Sequence, residues 1–223
     1  MMEEQRPINR PPLREALLLL LALAVIETAI AYLFPIPPEA SKALRLWRTG
    51  EVRIIEVALL LILWIRRGRG LADLGLKGAP LLRGVKEGVV ISAALGIIVL
   101  AVHFYMVAFE GKSLFKLLTP KIIAPLPPLI IVGVFIGPLF EELLFRGFLY
   151  NGLRNRYSTF PALLATTLLF GLLHFSGTGI PLIQLAGGAI FCIAFERSSS
   201  LAAPIIIHFL GNAALFLSPL FLK

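Results

Sequence analysis

Seven long apolar runs dominate the chain, and short polar or proline-rich segments separate them. A helix needs about 20 mostly apolar residues to cross the hydrocarbon core of a bilayer, whereas a membrane-spanning strand shows a short alternating pattern. The pattern therefore predicts an all-α, polytopic transmembrane bundle of about seven or eight helices around an intramembrane polar cavity. The runs cover residues 15–34, 51–65, 85–109, 128–150, 159–175, 180–195 and 201–221.

Three features of this pattern bear on the helix boundaries. The basic segment 39–53 could lie flat as an interfacial helix ahead of the second run. The first run has the basic lead of a cleaved signal peptide, but Glu27 interrupts its apolar core, so we favour a retained anchor. The fourth run must continue to about Arg154 if its polar residues are to reach the same depth as those of later runs.

Composition supports the membrane assignment. Hydrophobic residues make up 58% of the 223 residues and charged residues 15%, and the mean hydropathy is +0.89. Soluble domains carry about 25% charged residues, and disorder requires low hydrophobicity, so both classes are excluded. We expect a single membrane domain over residues 1–223, with generic membrane helices in 1–127 and the candidate chemistry in 128–215.

The charge distribution predicts orientation rather than a soluble partner. The formal net charge is +8, and the single cysteine, Cys192, excludes an internal disulfide and a multi-cysteine metal site. Basic residues at helix ends meet lipid headgroups, and without a basic stripe among aromatics we expect no nucleic-acid binding. Lys and Arg are more numerous in the loops on the side of the membrane where the N-terminus lies. This bias predicts a multi-pass protein of the cell membrane with a cytoplasmic N-terminus.

Ionisable and amide side chains occur inside the apolar runs after the proline-rich connector 120–128. An ionisable group at the centre of a membrane helix costs about 2.5–3.5 kcal/mol on insertion scales, so such groups usually face a functional cavity. Membrane lipid is then one expected partner, and a hydrophobic substrate inside the bundle is another. The residues concerned are Glu141, Glu142, Arg146, His174, His208 and Asn212.

Helical spacing distinguishes the two adjacent glutamates. Glu142 and Arg146 stand four residues apart and can pair on one helix face, whereas Glu141 points about 100° away at 3.6 residues per turn. A desolvated carboxylate without a partner can take up a proton, so Glu141 is a candidate general base. The competing interpretation is that both glutamates only brace the bundle. His103 has no polar neighbour at helical spacing, and we expect a buried, singly hydrogen-bonded histidine there.

Three motifs inside these runs resemble a known family. They resemble the motifs of the CPBP family (CAAX protease and bacteriocin-processing enzymes, also called Abi), and the resemblance covers roughly residues 128–215. Its best-known members are prenyl-protein endopeptidases that remove the last three residues of CAAX proteins. The motifs are Glu141-Glu142-x-x-x-Arg146, Phe170-x-x-x-His174 and His208-x-x-x-Asn212.

The resemblance implies a role for each motif residue. Glu141 would be the general base that activates water, and His174 would help to hold that water. His208 and Asn212 would bind the oxyanion of the tetrahedral intermediate. The implied substrate is a hydrophobic or prenylated peptide or protein. The remaining motif residues would support the site: Glu142, Arg146 and Phe170.

Zinc is the alternative to a metal-free mechanism. Glu141, His174 and His208 could serve as three ligands that leave the fourth position open. The His-Glu-x-x-His spacing of zincins is absent, and no acid stands beside either histidine in the sequence to orient it. We therefore favour a glutamate mechanism without a cofactor.

Two functions of other classes compete with hydrolysis. A transporter or proton relay also uses buried Glu, His and Arg, but the internal repeats typical of transporters are not visible here. A non-catalytic family member acting as a scaffold is the other possibility, and the complete motifs argue against it.

Overall fold

The computed structural model describes residues 9–115, 125–175, 177 and 179–221. In these ranges the chain is all-helical without strands, so the predicted helical bundle is confirmed. A short 3-10 helix, Leu71–Leu74, stands between the second and third helices. The helices are α1 (Leu13–Leu33), α2 (Lys42–Arg66), α3 (Gly78–Glu110), α4 (Leu126–Arg154), α5 (Thr159–Leu173), α6 (Leu182–Ser198) and α7 (Ala202–Phe221).

Among the described residues, three segments are long and apolar enough to cross a membrane. These are Leu13–Leu33, Leu71–Glu110 and Leu126–Arg154, while Thr159–Leu173 and Ala202–Ser218 are shorter apolar helices. The fourth helix reaches Arg154, as the depth of its polar residues required. The chain therefore has the helices of a membrane protein.

The separate interfacial helix expected in segment 39–53 is not present. Residues from Lys42 onward form the first turns of α2, and Ser41 caps that helix by accepting a hydrogen bond from the backbone N–H of Leu44. The basic segment and the second apolar run are thus one helix of 25 residues.

Most of the connector 120–128 lies outside the described residues. Four of the basic residues that contribute to the predicted orientation also lie outside them: Arg6, Lys116, Lys121 and Lys223.

Helix α4 is not a regular α-helix. Two π-helical stretches, Leu129–Ile136 and Leu143–Tyr150, flank six α-helical residues, Gly137–Glu142. Pro138 lacks a backbone N–H and cannot complete the α-helical hydrogen bond one turn back. The N–H of Gly137 instead donates to Val132, five residues earlier, which is the π-helical pattern.

The core lies around the second half of α4. All residues from Leu143 to Tyr150 are buried, and the ring of Phe148 meets that of Trp64 edge-on at 5.1 Å. Small residues allow the neighbouring helices to come close, since a Cβ on Gly171 would lie 2.4 Å from a methyl group of Leu185. The ring of Phe145 meets that of Phe170 on α5 at 5.0 Å, so α4, which carries three of the seven candidate site residues, is packed against α2 and α5.

Candidate active site

Helix α4 holds a fully buried ion pair. The side chains of Glu142 and Arg146 have no exposed surface, and Arg146 Nη1 lies 3.1 Å from Glu142 Oε1, so the predicted pair is present. Arg146 Nη2 donates to the carbonyl of Gly188 at 3.0 Å. The guanidinium also lies 5.0 Å from the ring centres of Phe170 and Phe191. Arg146 therefore joins α4 to α5 and α6.

His208, on α7, contacts both glutamates. Its Nδ1 lies 2.8 Å from Glu142 Oε1, and its Nε2 lies 3.7 Å from Glu141 Oε2. The imidazole stacks on Phe191 at 4.6 Å with an interplanar angle of 21°. The carboxylate oxygen accepts, so Nδ1 is the donor toward Glu142, and Nε2 is left facing Glu141.

His174 approaches Glu141 from the end of α5. It follows the last helical residue, Leu173, and its Nδ1 lies 2.8 Å from the carbonyl oxygen of Phe170. A carbonyl also only accepts, so Nδ1 donates here as well and Nε2 is left without a partner on its own helix. That Nε2 lies 3.9 Å from Glu141 Oε1. The i, i+4 spacing of the motif thus corresponds to a side-chain contact with the backbone.

The two imidazole rings meet the Glu141 carboxylate through Nε2, which is an acceptor in the tautomer that donates from Nδ1. Two imidazole Nε2 atoms face the two carboxylate oxygens at 3.9 and 3.7 Å. Facing lone pairs repel each other unless a donor or a cation lies between them. The arrangement is therefore complementary to a water molecule, a shared proton or a metal ion. Exposed fractions of 23% for the Glu141 side chain and 32% for His174 leave this point accessible from one side.

Asn212 makes a contact that the motif did not predict. Its Nδ2 donates to the carbonyl of Gly133 at 2.8 Å, in the first π-helical stretch of α4. In the described ranges no hydrogen bond joins Asn212 to Glu141, His174 or His208. One amide hydrogen of Asn212 is thus committed to the backbone, and the second remains for a ligand.

The expectation that no acid orients either histidine is wrong for His208. Glu142, one helix away, accepts from His208, and the carbonyl of Phe170 accepts from His174. Spacing along a single helix could not reveal the first of these contacts because it joins α4 to α7. Such acceptors usually accompany metal-bound histidines, so one argument against zinc is removed.

The donor set fits zinc in type and nearly in distance. Ligand atoms of a tetrahedral zinc ion lie about 3.4 Å apart, and the observed separations between Nε2 and carboxylate oxygen atoms are 3.9 and 3.7 Å. Within the described part of the chain, no three or more His, Cys, Asp or Glu side chains are already arranged as a metal site.

Sequence reasoning missed a charged cluster behind the site. Arg53 on α2 contacts Glu27 of α1 and Glu56 of its own helix, and Glu56 is fully buried. The guanidinium of Arg53 lies 4.3 Å from the ring centre of Phe140, the residue before Glu141. The i, i+3 spacing of Arg53 and Glu56 inside an apolar run was the available signal.

His103 is buried, and its Nδ1 has no hydrogen-bond partner among the described residues.

The part of the chain that carries the site matches a known protein family. Residues 123–214 match the model of the family described as "Type II CAAX prenyl endopeptidase Rce1-like". The predicted family resemblance is confirmed. The matched segment contains every candidate site residue, from Glu141 to Asn212, together with helices α4 to α6 and the first part of α7.

Two curated proteins are similar to part of the chain. The "Putative membrane peptidase YdiL" of Bacillus subtilis (strain 168) is 28% identical over 112 residues, which cover 50% of this chain and 46% of that protein. The "Membrane-embedded CAAX protease MroQ" of Staphylococcus aureus (strain USA300) is 42% identical over 85 residues, covering 34% and 33% of the two chains. The matched region thus spans less than half the length of either relative. No solved structure matches the chain at a significant level.

Proposed function

We propose that this protein is a multi-pass intramembrane endopeptidase that hydrolyses hydrophobic or lipidated CAAX-type peptides at Glu141. The observation that carries the proposal is the convergence of two imidazole Nε2 atoms on the Glu141 carboxylate, at 3.9 and 3.7 Å. We place the catalytic core in residues 128–215 of a single membrane domain, with the N-terminus in the cytoplasm. The Rce1-like match favours a peptidase over a transporter or proton relay.

The hydrolytic step follows from the positions of the acceptors. A water molecule held by His174 and Glu141 gives a proton to Glu141 as its oxygen attacks the carbonyl carbon of the substrate. Glu141 then transfers that proton to the leaving amine as the carbon–nitrogen bond breaks. A base within hydrogen-bond reach of the water contributes typically 10²- to 10⁴-fold to the rate. Each proton and electron pair is thereby accounted for without an external reactant.

The oxyanion requires donors, and the structure suggests their source. With Nδ1 bonded to Glu142, His208 donates from Nε2 only when both ring nitrogens carry a proton. The second amide hydrogen of Asn212 is the other candidate donor. Arg146 shares Glu142 Oε1 with His208, so it acts on the oxyanion through His208. Removing one oxyanion donor from a hydrolase typically lowers kcat by about 10²- to 10³-fold.

A zinc mechanism is the second candidate, favoured by the acceptors on both Nδ1 atoms. Glu141, His174 and His208 would hold the ion, which would lower the pKa of bound water. Glu142 could not then serve freely as the base, because its side chain is fully buried while Arg146 and His208 contact its Oε1. The base would have to come from elsewhere, and for that reason we place the metal-free mechanism first.

The test compares Glu141→Gln with the wild type on a farnesylated peptide ending in a CAAX sequence. Release of the C-terminal tripeptide is measured by mass spectrometry in detergent or nanodiscs. Glu51→Gln, at an exposed position on α2, is the matched control and should retain activity. We expect Glu141→Gln to remain folded and to lose tripeptide release. Equal release by Glu141→Gln and wild type would contradict the assignment of the base.

A further inference from the structure

A basic cavity opens between α3 and α6, away from the candidate active site. Its volume is about 320 Å³. Three of its lining side chains are cationic and one is anionic, so it has an excess of positive charge, and none of them belongs to the three motifs. The lining residues are Arg83, Lys86, Glu87, Val90, Ile91 and Arg197.

The positive charge of this cavity is only partly compensated. Glu87 Oε2 lies 3.7 Å from Arg197 Nε, a long distance for an ion pair, and the side chain of Arg197 stays 69% exposed. Within the described part of the chain, neither Arg83 nor Lys86 has an ion-pair partner. The cavity can therefore accept a group with at least one negative charge.

The two walls of the cavity change from charged to apolar in the same direction. On α3, Lys86 is followed four residues later by Val90, which is 57% exposed. On α6, which runs the opposite way, Ile193 lies just beyond the lining residues, is 46% exposed and precedes Arg197 by four residues. Four residues correspond to about 6 Å along each helix axis. A phospholipid has this order of groups, with the phosphate outermost and the acyl chains deeper.

The apolar side of the cavity faces the surroundings of the bundle. Only 6% of the apolar stretch of the segment Leu71–Glu110 is buried inside the protein, so most of α3 is available to lipid. Basic pockets between membrane helices bind anionic lipid headgroups. A soluble phosphate or an acidic peptide would match the charged rim and leave the apolar wall uncovered.

We propose that this cavity binds one anionic phospholipid. The phosphate lies among Arg83, Lys86 and Arg197, and the acyl chains follow Val90 and Ile193. The site joins α3 to α6 at one end of the bundle. A lipid that binds only the folded protein raises its stability by mass action, so occupancy should raise the melting temperature.

The experiment measures binding of phosphatidylglycerol and phosphatidylcholine to the full chain in dodecyl maltoside, by native mass spectrometry and by thermal melting. The test variant carries Arg83→Gln, Lys86→Gln and Arg197→Gln. The matched control carries Arg66→Gln, Arg67→Gln and Lys77→Gln, which remove the same charge from exposed positions outside the cavity. Glycerol phosphate, a headgroup without acyl chains, serves as the soluble competitor.

We expect one phosphatidylglycerol per protein, weaker binding of phosphatidylcholine, and a higher melting temperature with the anionic lipid. Each basic residue near an anionic group contributes about a fivefold factor in affinity, so the test variant should bind about 100-fold more weakly. The control should bind as the wild type does. Equal loss in both variants, equal binding of the two lipids, or competition by glycerol phosphate at the concentration of the lipid would each overturn the proposal.

Discussion

Replacing Arg146 with leucine should destabilise the protein strongly, because the guanidinium is fully buried. The change removes a charged hydrogen bond to Glu142 and another to the carbonyl of Gly188. Each is worth about 1.5–3 kcal/mol. Breaking a buried ion pair costs about 3–5 kcal/mol overall, which agrees with the sum of the two contacts. The folding equilibrium should shift by roughly a hundredfold to several thousandfold.

The chain provides its own reporter for this measurement. Cys192 is the single cysteine and is fully buried, so a thiol-reactive fluorescent dye will label it only as the bundle opens. Melting curves recorded with such a dye in detergent compare Arg146→Leu with Arg66→Leu, an exposed position of the same residue type. Arg146→Leu should melt well below both the wild type and this control.

A double variant separates charge from packing. In Glu142→Gln/Arg146→Leu the carboxylate left without its arginine is gone, so much of the stability should return although the packing change remains. An unchanged melting temperature for Arg146→Leu, or a double variant no more stable than the single one, would refute the reasoning. In either case the ion pair would not hold α4 in place.

The remaining predictions concern the metal, a close helix contact and the rear cluster. Purified active protein should contain far less than one zinc per chain and stay active with a strong chelator. Stoichiometric zinc, together with activity that is lost on chelation and restored by zinc, would favour the metal mechanism. Gly171→Ala should lower the free energy of unfolding by about 1–3 kcal/mol, since its Cβ would lie 2.4 Å from Leu185. Gly211→Ala, with open space around the Cβ, is the control in thermal melting. Arg53→Met should lower the melting temperature by leaving Glu56 buried without its cation, and recovery in Arg53→Met/Glu56→Gln would identify the charge as the cause.

Pairs within one helix were predictable from spacing, whereas the individual hydrogen bonds between helices were not. The pair of Glu142 and Arg146 follows from i, i+4 spacing, and the helices follow from apolar runs as long as a bilayer is thick. The contact of Glu142 with His208 joins residues 66 positions apart, so spacing could not indicate it. The bond from Asn212 to Gly133 was hidden in the same way, because a backbone carbonyl has no signature in the sequence.

The helix boundaries show a different limit. The apolar run predicted α2 only from residue 51, because charged residues in its first turns resemble a surface segment. A long helix can project a charged end beyond the hydrocarbon core, and hydropathy then reports the part in lipid rather than the helix itself.

The two π-helical stretches that flank Gly137–Glu142 make the direction of Glu141 tolerant of a change in chain length. Each residue added to or removed from a regular helix turns everything beyond it by about 100°, whereas a π-helical turn accommodates one extra residue and keeps the segments on both sides in register. Deleting one residue from Leu129–Ile136 would therefore convert this stretch to regular α-helix and leave Glu141 facing His174 and His208. Among related chains, single-residue gaps in this stretch would be compatible with an intact site.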